Sequence, residues 1–144
     1  MTAPGLYMLD TNICSFLMRR QPAGLLDRVA QAAADGHTLV VSAITYAEMR
    51  FGAIGRKASP RHVRLVDEFV RRLDGVLAWD AAAVDEIVRV RQELAAVGRP
   101  ISDNDSAIAA HARYVGAVLV TNNLREFGRV ADLTVEDWST DASQ

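Results

Sequence analysis

Short runs of large apolar residues alternate along the chain with longer segments in which apolar residues recur every three or four positions. The runs are Leu6–Leu9, Thr38–Val41, Val76–Trp79, Ala117–Thr121 and a shorter one at Leu133–Val135. Continuous apolar runs of this length predict strands that are buried on both faces, as in a parallel sheet. Because helical segments separate the runs, the pattern predicts an α/β domain whose central parallel β-sheet is flanked by helices.

Residues typical of helix starts and ends delimit the segments of helical periodicity. Ser42 and Asp80 precede two of these segments as N-caps, and glycines or prolines close several of them. We expect turns at Arg56–Pro60 and Asn122–Gly128. The predicted helices are Asn12–Met18, Leu25–Ala33, Ala43–Ile54, Pro60–Leu73, Ala81–Val97 and Asp105–Val115.

The size and composition of the chain predict one globular domain. Half of its 144 residues are apolar and about a quarter are charged. We expect residues 1–138 to form this domain and residues 139–144 to be a disordered acidic tail. No segment approaches the roughly 20 apolar residues that span a bilayer, and none is typical of a signal peptide, so we expect a cytoplasmic protein. The single cysteine, Cys14, cannot form an internal disulfide and is expected on the buried face of the first helix.

The charges are unevenly distributed, although the net charge is only −2. Residues 1–72 contain ten Lys/Arg and six Asp/Glu, whereas residues 73–144 contain six and twelve. The basic groups concentrate between Arg50 and Arg72, and arginine matches phosphate in a bidentate geometry. A solvated helical face is the alternative explanation. The candidate phosphate contacts are Arg50, Arg56, Lys57 and Arg61.

Three acids fall at equivalent places in the predicted fold. Asp10 directly follows the first strand, Glu48 lies in the second turn of the helix after the second strand, and Asp105 opens the helix before the fourth. Strand ends and the adjacent helix turns meet at one edge of a parallel sheet, where ligands bind. Carboxylates gathered there raise one another's pKa values unless a cation relieves the repulsion. Oxygen ligands without a His/Cys cluster select Mg²⁺ or Mn²⁺, and phosphodiester hydrolysis is the chemistry that such a site supports.

Each acid also fits a structural role. Asp10 is a preferred helix N-cap, Asp105 completes a Ser-x-x-Asp capping box with Ser102, and Glu48 fits a solvent-facing helix position. His111 lies six positions after Asp105, so on a helix it points well away from that acid. We therefore predict a structural role for His111.

The motifs around these acids resemble those of the VapC toxins, which are ribonucleases of the PIN-domain fold from bacterial toxin–antitoxin pairs. The resemblance spans nearly the whole chain, in the order found in the family. The matching segments are Met8–Cys14, Ser42-x-x-Thr45-x-x-Glu48 with Gly52-Ala53, Gly98–Ile101, Asp105–Ala112, Val120–Phe127 and Glu136–Trp138.

The resemblance implies that Asp10, Glu48 and Asp105 hold Mg²⁺, with Mn²⁺ as the alternative. Many PIN domains have a fourth acid in a Thr-x-Asp context, but here that position is Asn123, which we expect to orient rather than to ligate. Asp103 stands where relatives commonly have Pro, and we expect it at the rim without a catalytic role. The residues expected to support the metal ligands are Thr11, Asn12, Thr121 and Glu126.

The resemblance also implies the substrate and the partners. Such toxins cut RNA, often tRNA in the anticodon loop, and a cognate VapB antitoxin silences them. They usually form homodimers and larger toxin–antitoxin hetero-oligomers, with the antitoxin's C-terminal segment in the acidic groove. The candidate phosphate contacts between Arg50 and Arg72 become candidate RNA contacts on this basis.

Two other classes of function remain open from the residues. One is an inactive PIN domain that serves only as a binding module, a hypothesis that stays open because Asn123 replaces the fourth acid of many PIN domains. Phosphatases of the Asp-x-Asp-x-Thr/Val type also place an aspartate after the first strand. Here the second acid is replaced by Asn12, and the only lysine is Lys57. Divalent-metal-dependent RNA cleavage would separate the ribonuclease from both alternatives.

Overall fold

Strands and helices alternate along the chain in the computed structural model, which describes residues 4–54 and 59–140. The strands are β1 (Leu6–Leu9), β2 (Thr38–Ser42), β3 (Gly75–Leu77), β4 (Val118–Val120) and β5 (Val135–Glu136). The helices are α1 (Thr11–Met18), α2 (Ala23–Ala34), α3 (Ala43–Ile54), α4 (Pro60–Arg72), α5 (Ala81–Ala96), α6 (Asp103–Val115) and α7 (Leu124–Phe127).

The five strands form one parallel sheet in the order β3-β2-β1-β4-β5. The first strand of the chain is therefore its centre, and Met8 pairs with Val40 of β2 on one side and with Leu119 of β4 on the other. The backbone N–H of Asp10 continues the pairing by donating to the Val120 carbonyl at 3.0 Å. The predicted parallel sheet is confirmed, and it places Asp10 at the middle of its carboxyl edge.

The sheet is covered on both faces because successive strand residues point to opposite sides. Met8 and Leu119 lie in a core cluster with residues of α5 and α6. Leu9 and Val120 lie in a second cluster with residues of α1, α2, α3 and α4, where Cys14 is fully buried as expected. The result is the predicted arrangement of a central sheet flanked by helices.

Helix α6 is the most deeply buried helix that the structure describes. Its residues Ser106–Ala112 are all buried, and four of these seven are alanines. Small side chains allow close approach to the neighbouring elements. At its end, Arg113 forms ion pairs with Glu86 (3.1 Å) and Glu93 (2.8 Å) of α5. Helix α6 is thus held tightly against α5 and the sheet.

Some predicted boundaries were wrong. Helix α6 begins at Asp103 rather than Asp105, because the Ser102 hydroxyl caps it by accepting from the Asp105 N–H at 3.2 Å. The turn predicted at residues 122–128 contains α7, which at four residues is too short to show helical periodicity. Strands β3 and β5 are shorter than predicted or displaced along the chain.

Some predictions lie outside the described residues. These are most of the turn at Arg56–Pro60 and the end of the tail, residues 141–144. The domain boundary at 138 and the disorder of the tail therefore stay predictions. In the described ranges, no helix is both long enough and apolar enough to cross a membrane.

His111 is a buried link between α6 and the end of β2. Its Nδ1 lies 2.8 Å from Ser42 Oγ, which also accepts from the Ile44 N–H at 3.1 Å. The ring also forms a hydrogen bond with the Ala78 backbone. Burial lowers the pKa of His111 below its ordinary value of 6.5, which outweighs the opposing effects of Asp80 and Ala78. This placement agrees with the predicted structural role.

The lowered pKa of His111 predicts a loss of stability in mild acid. The unfolded chain takes up a proton near the ordinary pKa of histidine, whereas the folded chain resists it. We expect the free energy of unfolding to fall as the pH decreases from about 7.5 to about 5.5, and His111→Gln to flatten this dependence. Urea titrations at each pH measure the slope.

His62→Gln is the matched control, because His62 is exposed on α4. Other titrating groups are common to the three proteins, so the difference in slope isolates His111. Equal slopes in wild type and His111→Gln would contradict the assignment.

Candidate active site

Asp10 occupies the end of the central strand and also caps the first helix. It is 3% exposed, and its Oδ1 accepts a hydrogen bond from the Ile13 N–H at 2.8 Å. Its Oδ2 accepts from the Thr121 hydroxyl at 2.6 Å. Asp10 can therefore serve both as the N-cap of α1, through Oδ1, and as a candidate metal ligand at the carboxyl edge of the sheet.

The electrostatic environment of Asp10 disfavours its ionised form. Burial is the largest effect and raises its pKa from 3.8 to about 6. Hydrogen bonds from Thr121 and Ile13 lower the pKa, whereas the charges of Asp105 and Glu48 raise it further. The three predicted metal-binding acids therefore act on one another in the folded chain.

Glu48 is oriented by a pair of threonines. Its Oε1 accepts from the Thr11 hydroxyl at 2.6 Å, and Thr11 Oγ1 lies 3.2 Å from the hydroxyl oxygen of Thr45. Thr45 is completely buried in α3, one turn before Glu48. Thr11 thus donates a hydrogen bond to a candidate metal ligand. Thr45 was missed as a supporting residue, although its i−3 spacing from Glu48 already placed both on one helix face.

Asp105 and Glu126 are neighbours at the site. Burial raises the pKa of Asp105, the capping hydroxyl of Ser102 lowers it, and the neighbouring charges of Glu126 and Glu48 raise it again. Glu126 is also close enough to share a hydrogen bond with the Asp105 carboxyl. The structure therefore brings Glu126 next to a candidate metal ligand.

Asn123 contacts the site through backbone and capping interactions. Its N–H donates to Thr121 Oγ1 at 2.9 Å, and its side-chain oxygen accepts from the Glu126 N–H at 3.4 Å as the N-cap of α7. Among the described residues, the NH₂ group of Asn123 donates no hydrogen bond to a carboxylate. Asn12 lies nearby, with its Nδ2 3.5 Å from Asn122 Oδ1.

Among the predicted basic contacts, Arg50 is already paired within the protein. Arg50 forms a 2.5 Å ion pair with Asp67, and its Nε donates to the Tyr46 hydroxyl at 2.9 Å. Arg61 is exposed on α4, and two further predicted contacts, Arg56 and Lys57, lie outside the described residues. The pairing of Arg50 between α3 and α4 competes with its predicted role in RNA binding.

Asp103 is exposed and its carboxylate lies 3.6 Å from the Arg91 guanidinium. It lies on the surface, and the absence of a catalytic role stays a prediction.

The donor set fits a hard divalent cation by its chemistry. Asp10, Glu48, Asp105 and Glu126 offer oxygen atoms alone, the ligands that Mg²⁺ and Mn²⁺ prefer. In residues 4–54 and 59–140, none of these four acids forms an ion pair, so no basic side chain in these ranges neutralises their charge. Within the same ranges, no three acids are close enough to share one ion without side-chain movement.

Comparison with known proteins identifies the family. A model of the PIN domain matches residues 7–133. The chain is 41% identical over 133 residues to the tRNA(fMet)-specific endonuclease VapC of Shigella flexneri, covering 92% of this chain and 98% of that protein. It is 39% identical to ribonuclease VapC2 of Haemophilus influenzae, covering 92% and 97%. The chain belongs to the VapC family of PIN-domain ribonucleases.

A solved VapC complex confirms the fold. The VapC-type chain superposes on the structure of VapBC2 from Rickettsia felis, bound to a DNA fragment from its promoter, with a TM-score of 0.85. The two are 32% identical, and the match covers 92% of this chain and 98% of the other. The predicted PIN-like α/β fold and the predicted family are therefore correct.

The cap formed by Asn123 predicts how this VapC-type chain responds to substitution there. Asn123→Ala removes the acceptor for the Glu126 N–H, so α7 and Glu126 lose a restraint. We expect RNA cleavage to fall by roughly 10–100-fold, the usual cost of losing a residue that orients a neighbouring group of a metal-type site.

Asn123→Asp is the matched control, because aspartate caps a helix as well as asparagine does. It should retain activity in the same RNA-cleavage assay. A complete loss of cleavage in Asn123→Ala would instead assign this residue a direct role at the metal.

Proposed function

We propose that this VapC-type ribonuclease is a Mg²⁺-dependent endonuclease that cuts tRNA in the anticodon loop, with Mn²⁺ as the alternative ion. The observation that carries the proposal is the buried carboxylate of Asp10, whose pKa is raised to about 6 by burial and by the nearby charges of Asp105 and Glu48. Acids that repel one another at the carboxyl edge of a parallel sheet are suited to sharing a divalent cation.

The residues of the chain have distinct tasks in this proposal. Asp10, Glu48 and Asp105 would hold the ion, while Thr121 and Thr11 keep two of these carboxylates in a fixed orientation through 2.6 Å hydrogen bonds. A bound divalent ion supplies positive charge for the scissile phosphate and lowers the pKa of water.

The name of the Shigella flexneri relative supports tRNA, and initiator tRNA in particular, as the substrate. A loop is the accessible target, because unpaired bases can leave the stack and contact protein. The family membership favours this function over the aspartate-dependent phosphatase. The retention of the three acids favours it over an inactive binding module.

We further propose that a VapB-type antitoxin neutralises the chain in the cytoplasm, and that the toxin forms a homodimer within a larger toxin–antitoxin hetero-oligomer. The Rickettsia felis relative was solved as a VapBC complex, which supports this partner. An acidic groove that is incomplete without a cation is an electrostatic match for a basic side chain.

Removal of one metal-binding carboxylate tests the chemistry. Asp10→Asn or Asp105→Asn should reduce Mg²⁺-dependent cleavage of tRNA to background. Because the folded pKa of Asp10 is about 6, its ionised form opposes folding above that pH. Without divalent ions at neutral pH, Asp10→Asn should therefore unfold at the same or a higher urea concentration than wild type.

Asp103→Asn is the matched control, because this acid is exposed and paired with Arg91. It should cleave as fast as wild type. Full activity of purified Asp10→Asn in the presence of Mg²⁺ would refute the proposed metal site.

Inhibition by the antitoxin is expected to depend on one cation. A C-terminal antitoxin segment that carries Arg or Lys would place positive charge beside the acids, and large apolar residues would anchor it, since a partly exposed ion pair contributes little alone. Steady-state inhibition should be competitive with Mg²⁺ or RNA and should weaken when that cation becomes alanine. Full inhibition by an antitoxin without its C-terminal segment would contradict this mechanism.

A further inference from the structure

Two clefts along α3 share Glu48 in their linings. The first measures about 270 Å³ and is bordered by α1 and α4, with Met18 and Leu65 in its apolar wall and Ser15 and His62 at its polar edge. The second measures about 450 Å³ and extends towards the start of α6. Pockets for drug-sized ligands measure roughly 300–1,000 Å³. The two clefts lie just below and near the lower end of that range, a size that suits a group as small as one ring system.

Phe51 forms a wall of the second cleft and is 75% exposed. It lies three positions after Glu48, so both side chains project from neighbouring parts of one helix face. Asn104 lines the same cleft next to Asp105. An exposed aromatic face, with an amide beside it that can donate and accept hydrogen bonds, stands directly at the candidate catalytic edge.

Gly52 separates the two clefts and lines both. A Cβ atom at this position would meet no atom within 4 Å, and the φ angle of Gly52 is not positive. Neither packing nor backbone conformation therefore requires glycine, although glycine within a helix is less stable than alanine. The missing side chain leaves a low passage between the clefts beside Glu48.

We propose that the two clefts bind two neighbouring unpaired bases of a single-stranded RNA segment. One base stacks on Phe51, and the other enters the cleft lined by Ser15 and His62. The RNA backbone crosses α3 at Gly52, so the phosphate between the bases lies beside Glu48. This inference rests on the proposed ribonuclease function and names the form of RNA that the site accepts.

Three features favour nucleobases as the occupants. Proteins bind unpaired RNA bases by stacking them on aromatic side chains and by hydrogen bonds to their edges, and Phe51 offers the first contact. Ser15, His62 and Asn104 offer the second. Both clefts share Glu48, so whatever fills them is held next to the reacting phosphate. Paired bases remain stacked inside a helix and cannot enter.

The experiment uses the full chain and an RNA oligonucleotide that contains the cleavage site mapped on tRNA. Phe51→Ala should lower kcat/KM by roughly 5- to 100-fold, the range expected for one lost stacking contact, whereas Phe51→Trp should retain it. Tyr114→Ala is the matched control, because Tyr114 is an exposed aromatic at the far end of α6. Gly52→Leu should also lower kcat/KM, while Gly52→Ala should raise the temperature of unfolding.

A second substrate isolates the stacking contact. The bases on the two sides of the cleavage site are replaced by abasic sites, one at a time, and each replacement should slow cleavage by wild type. At the position whose base stacks on Phe51, Phe51→Ala should cause no further loss of cleavage rate. The same sequence annealed into a duplex should resist cleavage by wild type.

The outcomes separate this inference from the proposed function. If wild type cleaves with Mg²⁺ but Phe51→Ala and Gly52→Leu match it, the clefts do not bind bases. Unchanged RNA kinetics with weakened antitoxin inhibition would assign the clefts to the antitoxin and overturn the inference. If Phe51→Ala dissociates a dimer and cleavage is restored at high protein concentration, Phe51 belongs to a dimer interface and the inference is overturned. Absence of Mg²⁺-dependent cleavage in wild type would refute the proposed function, and this inference with it.

Discussion

The hydroxyl of Thr121 donates a 2.6 Å hydrogen bond to the Asp10 carboxylate, and this contact joins the ends of two neighbouring strands. The other oxygen of Asp10 begins α1 through Ile13, and the Thr121 hydroxyl accepts from the N–H of Asn123. One carboxylate thus connects β1, β4, α1 and the loop that leads to α7. Its position at the centre of the sheet means that the remaining acids of the site are arranged around it.

This arrangement places groups together that destabilise one another. Burial and neighbouring charge raise the pKa values of both Asp10 and Asp105, so the free energy of the folded chain is higher with these acids ionised. Gly52 also lowers the stability of α3, because packing does not require glycine at this helical position. Such local costs concentrate at functional sites and are offset by the two hydrophobic clusters on the faces of the sheet.

The sequence was sufficient for features that depend on local pattern. Apolar runs identified the strands. Because the carboxyl ends of parallel strands meet at one edge, an acid directly after a strand, such as Asp10, could be predicted to lie at the site. Contacts between side chains that are far apart in the sequence could not be predicted from it. The pairing of Arg50 with Asp67 and the bond between His111 and Ser42 depend on how the helices pack. Helix α7 was missed because four residues contain too little periodicity.

The uninterrupted burial of Ser106–Ala112 has a consequence for how this protein can change over time. Within this seven-residue segment, a larger side chain cannot be added without displacing a neighbour, and overpacking a close-packed core costs typically about 1–3 kcal/mol. The exposed residues of α4 carry no such restriction. Sequence drift is therefore expected to be slow in the helix that carries Asp105 and faster on α4, where new surface contacts can evolve while the carboxylates keep their places.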